Sequence, residues 1–348
     1  MTPPEQIDLD AYDYPLPSEC IAQAPTPERD GARLLVLDRA SGSHAHHRVR
    51  DLAGLLAPGD LLVVNATRVL PARLRGEKTT GGSAEALILG ETREAGVYRA
   101  LLKVGKRQRT GLKLRFHRGD DRIDAELVRL GADGEVELAF ADGVSPYRVG
   151  ETPLPPYIRR PTPQSEDAER YQTVFAREPG SVAAPTAGLH LSDRVLDELM
   201  ARGIERAEVV LHVGAGTFRP IGPEALRERK LHAEAFELPA ATAEAIRATR
   251  ARGGRVVAVG TTAARVLESC ARDGREVEAR TGATELFLAP GDAFRVVDAL
   301  FTNFHLPRSS LLLLVAAFAG RERILAAYAE AVERGYRFYS YGDAMLIR

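Results

Sequence analysis

Between about Pro71 and Gly150 the chain breaks into short β-like runs, and this block interrupts a longer alternation of strands and helices. The runs AEALILGE, VYRALLKV, LKLRFH, RIDAELVRL and EVELAFA are set off by TTGGS, REAG, RTG, RGDD and GADG. Strand-length segments with Gly-rich turns at this spacing predict a small antiparallel barrel or sandwich, and no useful 3.6-residue period competes. Ahead of the block, LLVLDRASGSHAHHRV predicts two strands about a Ser-Gly turn. LAGLLAPGDLLVVN predicts a short helix, a stop at Pro58-Gly59 and a buried strand ending at Asn65. Beyond LPPYIRRP, Ser192 and Gly203 are cap residues for the helix DRVLDELMAR. AEVVLHV, RVVAVG and FRVVDALFTNF read as strands. ATAEAIRATRARG, ARVLESCA and RERILAAYAEAVERG read as helices.

Strand–helix alternation implies helices packed on a largely parallel sheet. The predicted fold class is α/β, with a mixed, largely parallel sheet interrupted by an inserted small antiparallel β-barrel. Residues 1–65 and 153–348 would form a discontinuous α/β domain, and 66–152 the barrel. The 348 residues suit two domains at about 150 residues each.

Only two cysteines, Cys20 and Cys270, are present and they have no CxxC partner, which argues against a disulfide framework or a cysteine zinc site. The proline-rich, acidic N-terminus lacks the apolar region of a signal peptide. The apolar run Leu311 to Ala319 is about half the ~20 residues that span a bilayer. A soluble, cytoplasmic protein is expected, a monomer with no membrane contact.

Charge is more informative in its distribution than in its sum. There are 47 Lys+Arg against 48 Asp+Glu, a net charge of -1, which argues against indiscriminate binding of polyanions. Yet residues 99–118 hold eight Arg or Lys and no acid. Lys103, Lys106, Arg107, Arg109 and Lys113 lie in this run, and Arg159 and Arg160 follow Tyr157 in PPYIRRP. A basic strip with an aromatic for stacking is a candidate RNA surface. The alternative is a solvated barrel face balanced by acids.

Four polar, mostly Gly-containing segments follow predicted strands: APTAGLH (184–190), HVGAGTF (212–218), VGTT (259–262) and TNFHLP (302–307). Ligands of open α/β sheets sit beyond the carboxyl ends of the strands, so these segments can line one pocket. They bring His190, His212 and His305 together as candidates. His232 and Glu234 share one strand face by i, i+2 spacing. Gly260, Thr261 and Thr262 open a helix whose amides suit a polar or anionic group. GAGTF is no dinucleotide fingerprint, because Pro220 and Pro223 forbid an immediate helix. His44, His46 and His47 form an HxHH cluster that reads as a solvated hairpin, and no metal is expected.

The motifs PPYIRRP, ERYQTVFAREPGSVAAPTAGLH, LHVGAGTFRP, LHAE, RGGRVVAVGTTAARVLES, VDALFTNFHLPRSSLLLLVAAFAG and YRFYSYGDAMLI occur in this order. Together with YDYPLPSECIAQAPTPERDGARLLVLDR and PGDLLVVNATRVLPARLRG they closely resemble the S-adenosylmethionine:tRNA ribosyltransferase-isomerases of queuosine biosynthesis. The likeness is loosest across 80–145. Leu191 replaces an expected aromatic, and Ala263 an expected serine. The resemblance implies a tRNA substrate whose anticodon loop carries 7-aminomethyl-7-deazaguanine. S-adenosylmethionine would be a consumed co-substrate, with no permanently bound cofactor. It also implies an α/β domain with an inserted barrel. On this reading His190, His212, His305, His232 and Glu234 supply proton-transfer groups. Thr186, Gly214, Gly216, Thr217, Thr261, Thr262 and Asn303 shape the pocket. A family member acting on a different acceptor is one alternative, and two readings from outside the family compete with it. A conventional methyltransferase lacks its acidic-Gly-x-Gly loop here. A non-catalytic RNA-binding module gives no reason for four polar strand ends.

Overall fold

The computed structural model describes residues 7–348 except 106, 133, 142, 161–163, 219–220 and 272–275, and except the side chains of 217 and 218. The N-terminal part holds β1 (Arg33–Leu37), β2 (His44–Arg48), α1 (Leu52–Leu55), β3 (Leu61–Asn65) and β4 (Thr67–Val69). Six strands follow: β5 (Arg73–Lys78), β6 (Ser83–Glu91), β7 (Val97–Val104), β8 (Lys113–Arg118), β9 (Asp121–Leu130) and β10 (Glu135–Phe140). Then come α2 (Asp167–Arg170), β11 (Glu178–Ser181), α3 (Asp193–Ala201), β12 (Glu205–Leu211), α4 (Pro223–Glu228), β13 (Lys230–Leu238) and α5 (Ala240–Ala251). The chain closes with β14 (Val256–Val259), α6 (Gly260–Ala271), β15 (Arg280–Leu286), β16 (Ala299–Asn303), α7 (Ser310–Ala319), α8 (Arg321–Glu333) and β17 (Ala344–Ile347).

Nine strands form one mixed sheet in the order β15-β13-β12-β3-β14-β16-β17-β1-β2. Its centre, β12, β3, β14 and β16, is parallel. β17 joins antiparallel to β16 and parallel to β1, and antiparallel pairs finish both edges. The central strands are apolar at successive positions because both faces are covered. Leu61 and Val63 enter one core with Val256 and Ala258, packed under α5 to α8. Leu62 and Val64 enter the other with Val257 and Val259, under α1 and α3. The run Leu311–Ala319 belongs to α7 and is largely buried there; among the described residues no helix is long and apolar enough to cross a membrane.

The six strands β5 to β10 close into an antiparallel barrel in the order β10-β7-β6-β5-β8-β9. Alternate residues such as Leu74, Ala86, Ile88, Leu102, Phe116 and Leu138 fill its interior. The closing strand, β5, is not evident in the sequence. Its run RLRGEK is charged, and Gly76 interrupts it because a Cβ there would lie 2.0 Å from the Arg115 carbonyl oxygen. β4, just ahead of the barrel strands, pairs in parallel with β11, the first strand after them.

Candidate active site

The parallel strands β12, β14 and β16 end at one edge of the sheet, and a cavity of about 550 Å³ opens beyond them. That size is typical of small-molecule sites, ~300–1,000 Å³. Residues from all four polar segments line it: Ala184 to Ala187, Val213, Gly260 to Thr262, and Thr302 to Pro307. Tyr157, Tyr171 and Tyr339 add aromatic walls, with Tyr157 and Tyr339 edge-to-face at 3.9 Å between ring centroids. Burial raises the pKa of all three phenols, so they are neutral hydrogen-bonding groups at physiological pH.

A chain of buried hydrogen bonds fixes the floor. Thr186 Oγ1 donates to Asn303 Oδ1 at 2.9 Å. Asn303 Nδ2 lies 3.1 Å from the Tyr339 carbonyl and 2.9 Å from His190 Nε2. Since Asn303 Nδ2 can only donate, His190 Nε2 accepts and the ring proton sits on Nδ1. Burial agrees, pushing the His190 pKa down to about 4 and keeping the ring neutral. His305 lines the cavity itself, with Nε2 3.0 Å from Thr302 Oγ1. Its backbone N–H donates to Tyr328 Oη at 3.0 Å and its carbonyl accepts from Tyr14 Oη. Burial alone lowers its pKa to about 3.

A buried ion pair stands at the cavity wall. Glu234 Oε1 accepts from the Gly214 amide at 2.9 Å, and Oε2 pairs with Arg265 Nη1. Arg265 Nε donates to the Leu286 carbonyl at 3.1 Å. Arg265 Nη2 and Thr262 Oγ1, both buried, have no partner among the described residues.

Of the five expected proton-transfer residues, His305 and Glu234 line the cavity, and His190 stands behind Asn303. His212 turns to Thr67, with Nδ1 2.8 Å from Oγ1, and burial lowers its pKa. His232 is exposed, packed against Gly216, where a Cβ would lie 2.4 Å from the ring. Thr186, Thr261, Thr262 and Asn303 line the cavity; Gly214 and Gly216 do not, Gly214 donating its amide to Glu234 and Gly216 packing on the exposed His232. Lys106 and the side chain of Thr217 lie outside the described residues. Leu191 and Ala263 are fully buried in the two cores.

The basic run is less one-sided than its sequence. Antiparallel register sets Arg99 opposite Glu137, Lys103 opposite Glu85, Lys113 opposite Glu126, and Arg115 opposite Glu77 and Asp124. Arg107 and Arg109 are exposed in the following loop, without an ion-pair partner among the described residues. Arg159 is exposed, whereas Arg160 is engaged by Asp167 at 2.9 Å and by the Gln23 carbonyl. The HxHH hairpin also has a specific partner: His44 Nδ1 and His46 Nε2 contact the Glu330 carboxylate at 2.6 and 2.9 Å.

Sequence reasoning missed Arg265, Tyr339 and Ser340. Arg265 had a signal, since it lies three positions after Thr262 and so on one helix face. Tyr339 had none: its φ of 74°, like the 55° of Arg308 beside the cavity, shows only in the folded backbone.

The model of the queuosine biosynthesis protein family matches residues 9–347. An S-adenosylmethionine:tRNA ribosyltransferase-isomerase of Anaeromyxobacter dehalogenans (strain 2CP-C) is 52% identical, over 97% of this chain and 99% of that one. The protein of that name from Thermotoga maritima is 48% identical, over 98% of this chain and 100% of that one. A crystal structure of S-adenosylmethionine tRNA ribosyltransferase from Thermotoga maritima matches with a TM-score of 0.57 and 38% identity, over 97% of this chain and 100% of that one. This chain belongs to the queuosine biosynthesis protein family, that of the S-adenosylmethionine:tRNA ribosyltransferase-isomerases.

Proposed function

We propose that this protein transfers the ribosyl part of S-adenosylmethionine to 7-aminomethyl-7-deazaguanine at the wobble position of tRNA. It isomerises that part to give epoxyqueuosine-tRNA, with adenine and methionine released. The carrying observation is the convergence of four polar strand-end segments on one tyrosine-walled cavity. Residues 1–65 and 153–348 act as the catalytic domain, and 66–152 as a barrel that helps to hold the tRNA.

The chemistry needs proton movement more than it needs a metal. A sulfonium acidifies the neighbouring C5′–H, so a positioned base removes that proton. Adenine leaves well only when a nitrogen is protonated. Such transfers typically contribute ~10²–10⁴-fold each. His305 supplies the neutral ring. The imidazolium formed in a buried site unfavourable to charge gives its proton up readily, as protonation of adenine requires. Glu234 is the second candidate at the wall, fixed by Gly214 and Arg265. His190 positions Asn303, while His212 and His232 support the segment that carries Gly214 and Gly216. Arg107, Arg109 and Arg159, all exposed, are the cations that meet the tRNA backbone; Lys103 and Lys113 stand opposite Glu85 and Glu126 and contribute less.

The test uses purified protein, tRNA bearing the aminomethyl base, and S-adenosylmethionine labelled either in ribose or in methyl. Ribose label is expected in the tRNA, with adenine and methionine in solution. Methyl label in the tRNA without ribose label would overturn the reading in favour of a methyltransferase.

A further inference from the structure

Helix α6 begins at the cavity with no residue between it and β14, and Gly260, at φ 84°, makes the turn. The first amides of a helix lack intrahelical acceptors and carry the positive end of its dipole. Gly260, Thr261 and Thr262 border the cavity there. One turn on, Arg265 borders it too, 5% exposed. Its Nη1 and Nε are taken by Glu234 and the Leu286 carbonyl, which leaves Nη2 buried and unpartnered among the described residues. Thr262 Oγ1 is in the same condition. A buried guanidinium nitrogen without an acceptor is costly, and a ligand oxygen that reached it from the cavity would relieve that cost.

We infer that the carboxylate of the methionine tail of S-adenosylmethionine binds at the start of α6, between Arg265 Nη2, Thr262 Oγ1 and the first helix amides. This rests on the reading of S-adenosylmethionine as substrate. The neighbouring charge chooses between the two available anions. Glu234, paired with Arg265, presents a carboxylate at the same wall. A tRNA phosphate would bring only negative charge against it. An α-amino acid brings a carboxylate for Arg265 and an ammonium for Glu234, so the ion pair complements a zwitterion. Held by that tail, the sulfonium lies within the cavity that His305 also lines. Arg265 and Glu234 are thereby assigned to binding, and proton transfer to His305.

Dissociation constants of S-adenosylmethionine and of its decarboxylated analogue, measured by calorimetry on the full chain, test this. Loss of the carboxylate is expected to weaken binding roughly 10- to 100-fold, as for a charge-assisted hydrogen bond. Thr262→Val and Arg265→Lys should weaken S-adenosylmethionine about tenfold and leave the analogue within about twofold. Equal binding of both ligands by the unaltered protein would overturn the inference, and needs no variant to fold. So would equal weakening of both ligands in the variants, or loss of tRNA affinity in Arg265→Lys with S-adenosylmethionine affinity kept. Failure of S-adenosylmethionine to bind both to the protein alone and to its complex with tRNA lacking the aminomethyl base would instead overturn the substrate reading beneath it.

Discussion

His190 and His305 are 4% and 7% exposed, and burial puts their folded pKa values at about 4 and about 3, below the ordinary 6.5. The unfolded chain therefore binds protons that the folded chain refuses. Stability from these rings is complete above pH 6.5 and is lost as pH falls toward the folded values, by up to about 1.4 kcal/mol per pH unit per ring. His212, also lowered by burial, acts in the same direction. Glu330, held at about 2 by hydrogen bonds from His44 and His46, loses its contribution only below its ordinary 4.5. Urea unfolding between pH 6.5 and 5 thus isolates the histidines. Stability should fall steadily there, and His190→Gln should reduce the slope by about one ring's share. A flat profile would refute the neutral, buried assignment. At this scale the sequence carries residue type but not depth. His190, His212, His232 and His305 look alike in their motifs, and only packing separates the ring at the cavity from the ring behind it and the ring in solvent.

FRVVDALFTNF has the apolar alternation of a strand, yet β16 covers only Ala299–Asn303. The difference lies in one buried side chain. Glu268 on α6, 3% exposed, accepts from the amides of Arg295 at 2.8 Å, Val296 at 3.0 Å and Val297 at 2.9 Å. Those donors are unavailable to a ladder, so the segment turns before the strand begins. β15 and β17 were also not legible. β17 is four buried residues, too short for periodicity to separate from other apolar runs. The helix from Asp193 was legible because its cap signals bracket it: the Ser192 side chain accepts from the Val195 amide and Gly203 follows the last turn at φ 74°. Glu268→Gln keeps the shape but replaces one acceptor oxygen with a donor facing these amides. A loss of about 1–3 kcal/mol is expected, with faster hydrogen exchange at Val296 and Val297 than at β16. Unchanged exchange at those two amides would show that the carboxylate does not hold the segment.

Across the whole molecule, the barrel was legible from its turns and the sheet from its alternation, but neither reveals which charges face each other. The net charge of -1 conceals a basic run, and the fold then interleaves that run with acids from neighbouring strands. Arg115 pairs with Asp124 at 2.7 Å, and cross-strand neighbours of this kind offer little net field to an approaching phosphate. The loop cations Arg107 and Arg109 have no such neighbour among the described residues. Counterion release then separates two classes of arginine. Each phosphate that the protein ceases to neutralise flattens the slope of log affinity against log salt by about 0.9 on a duplex, or about 0.7 on a single strand. Arg107→Ala combined with Arg109→Ala should weaken tRNA binding and flatten that slope by one to two such steps, with S-adenosylmethionine affinity unchanged. Arg115→Ala should leave the slope where it was, because its charge is already answered by Asp124. If instead Arg115→Ala flattens the slope and the loop variant does not, the tRNA lies along the barrel strands and the loop is only a solvated turn.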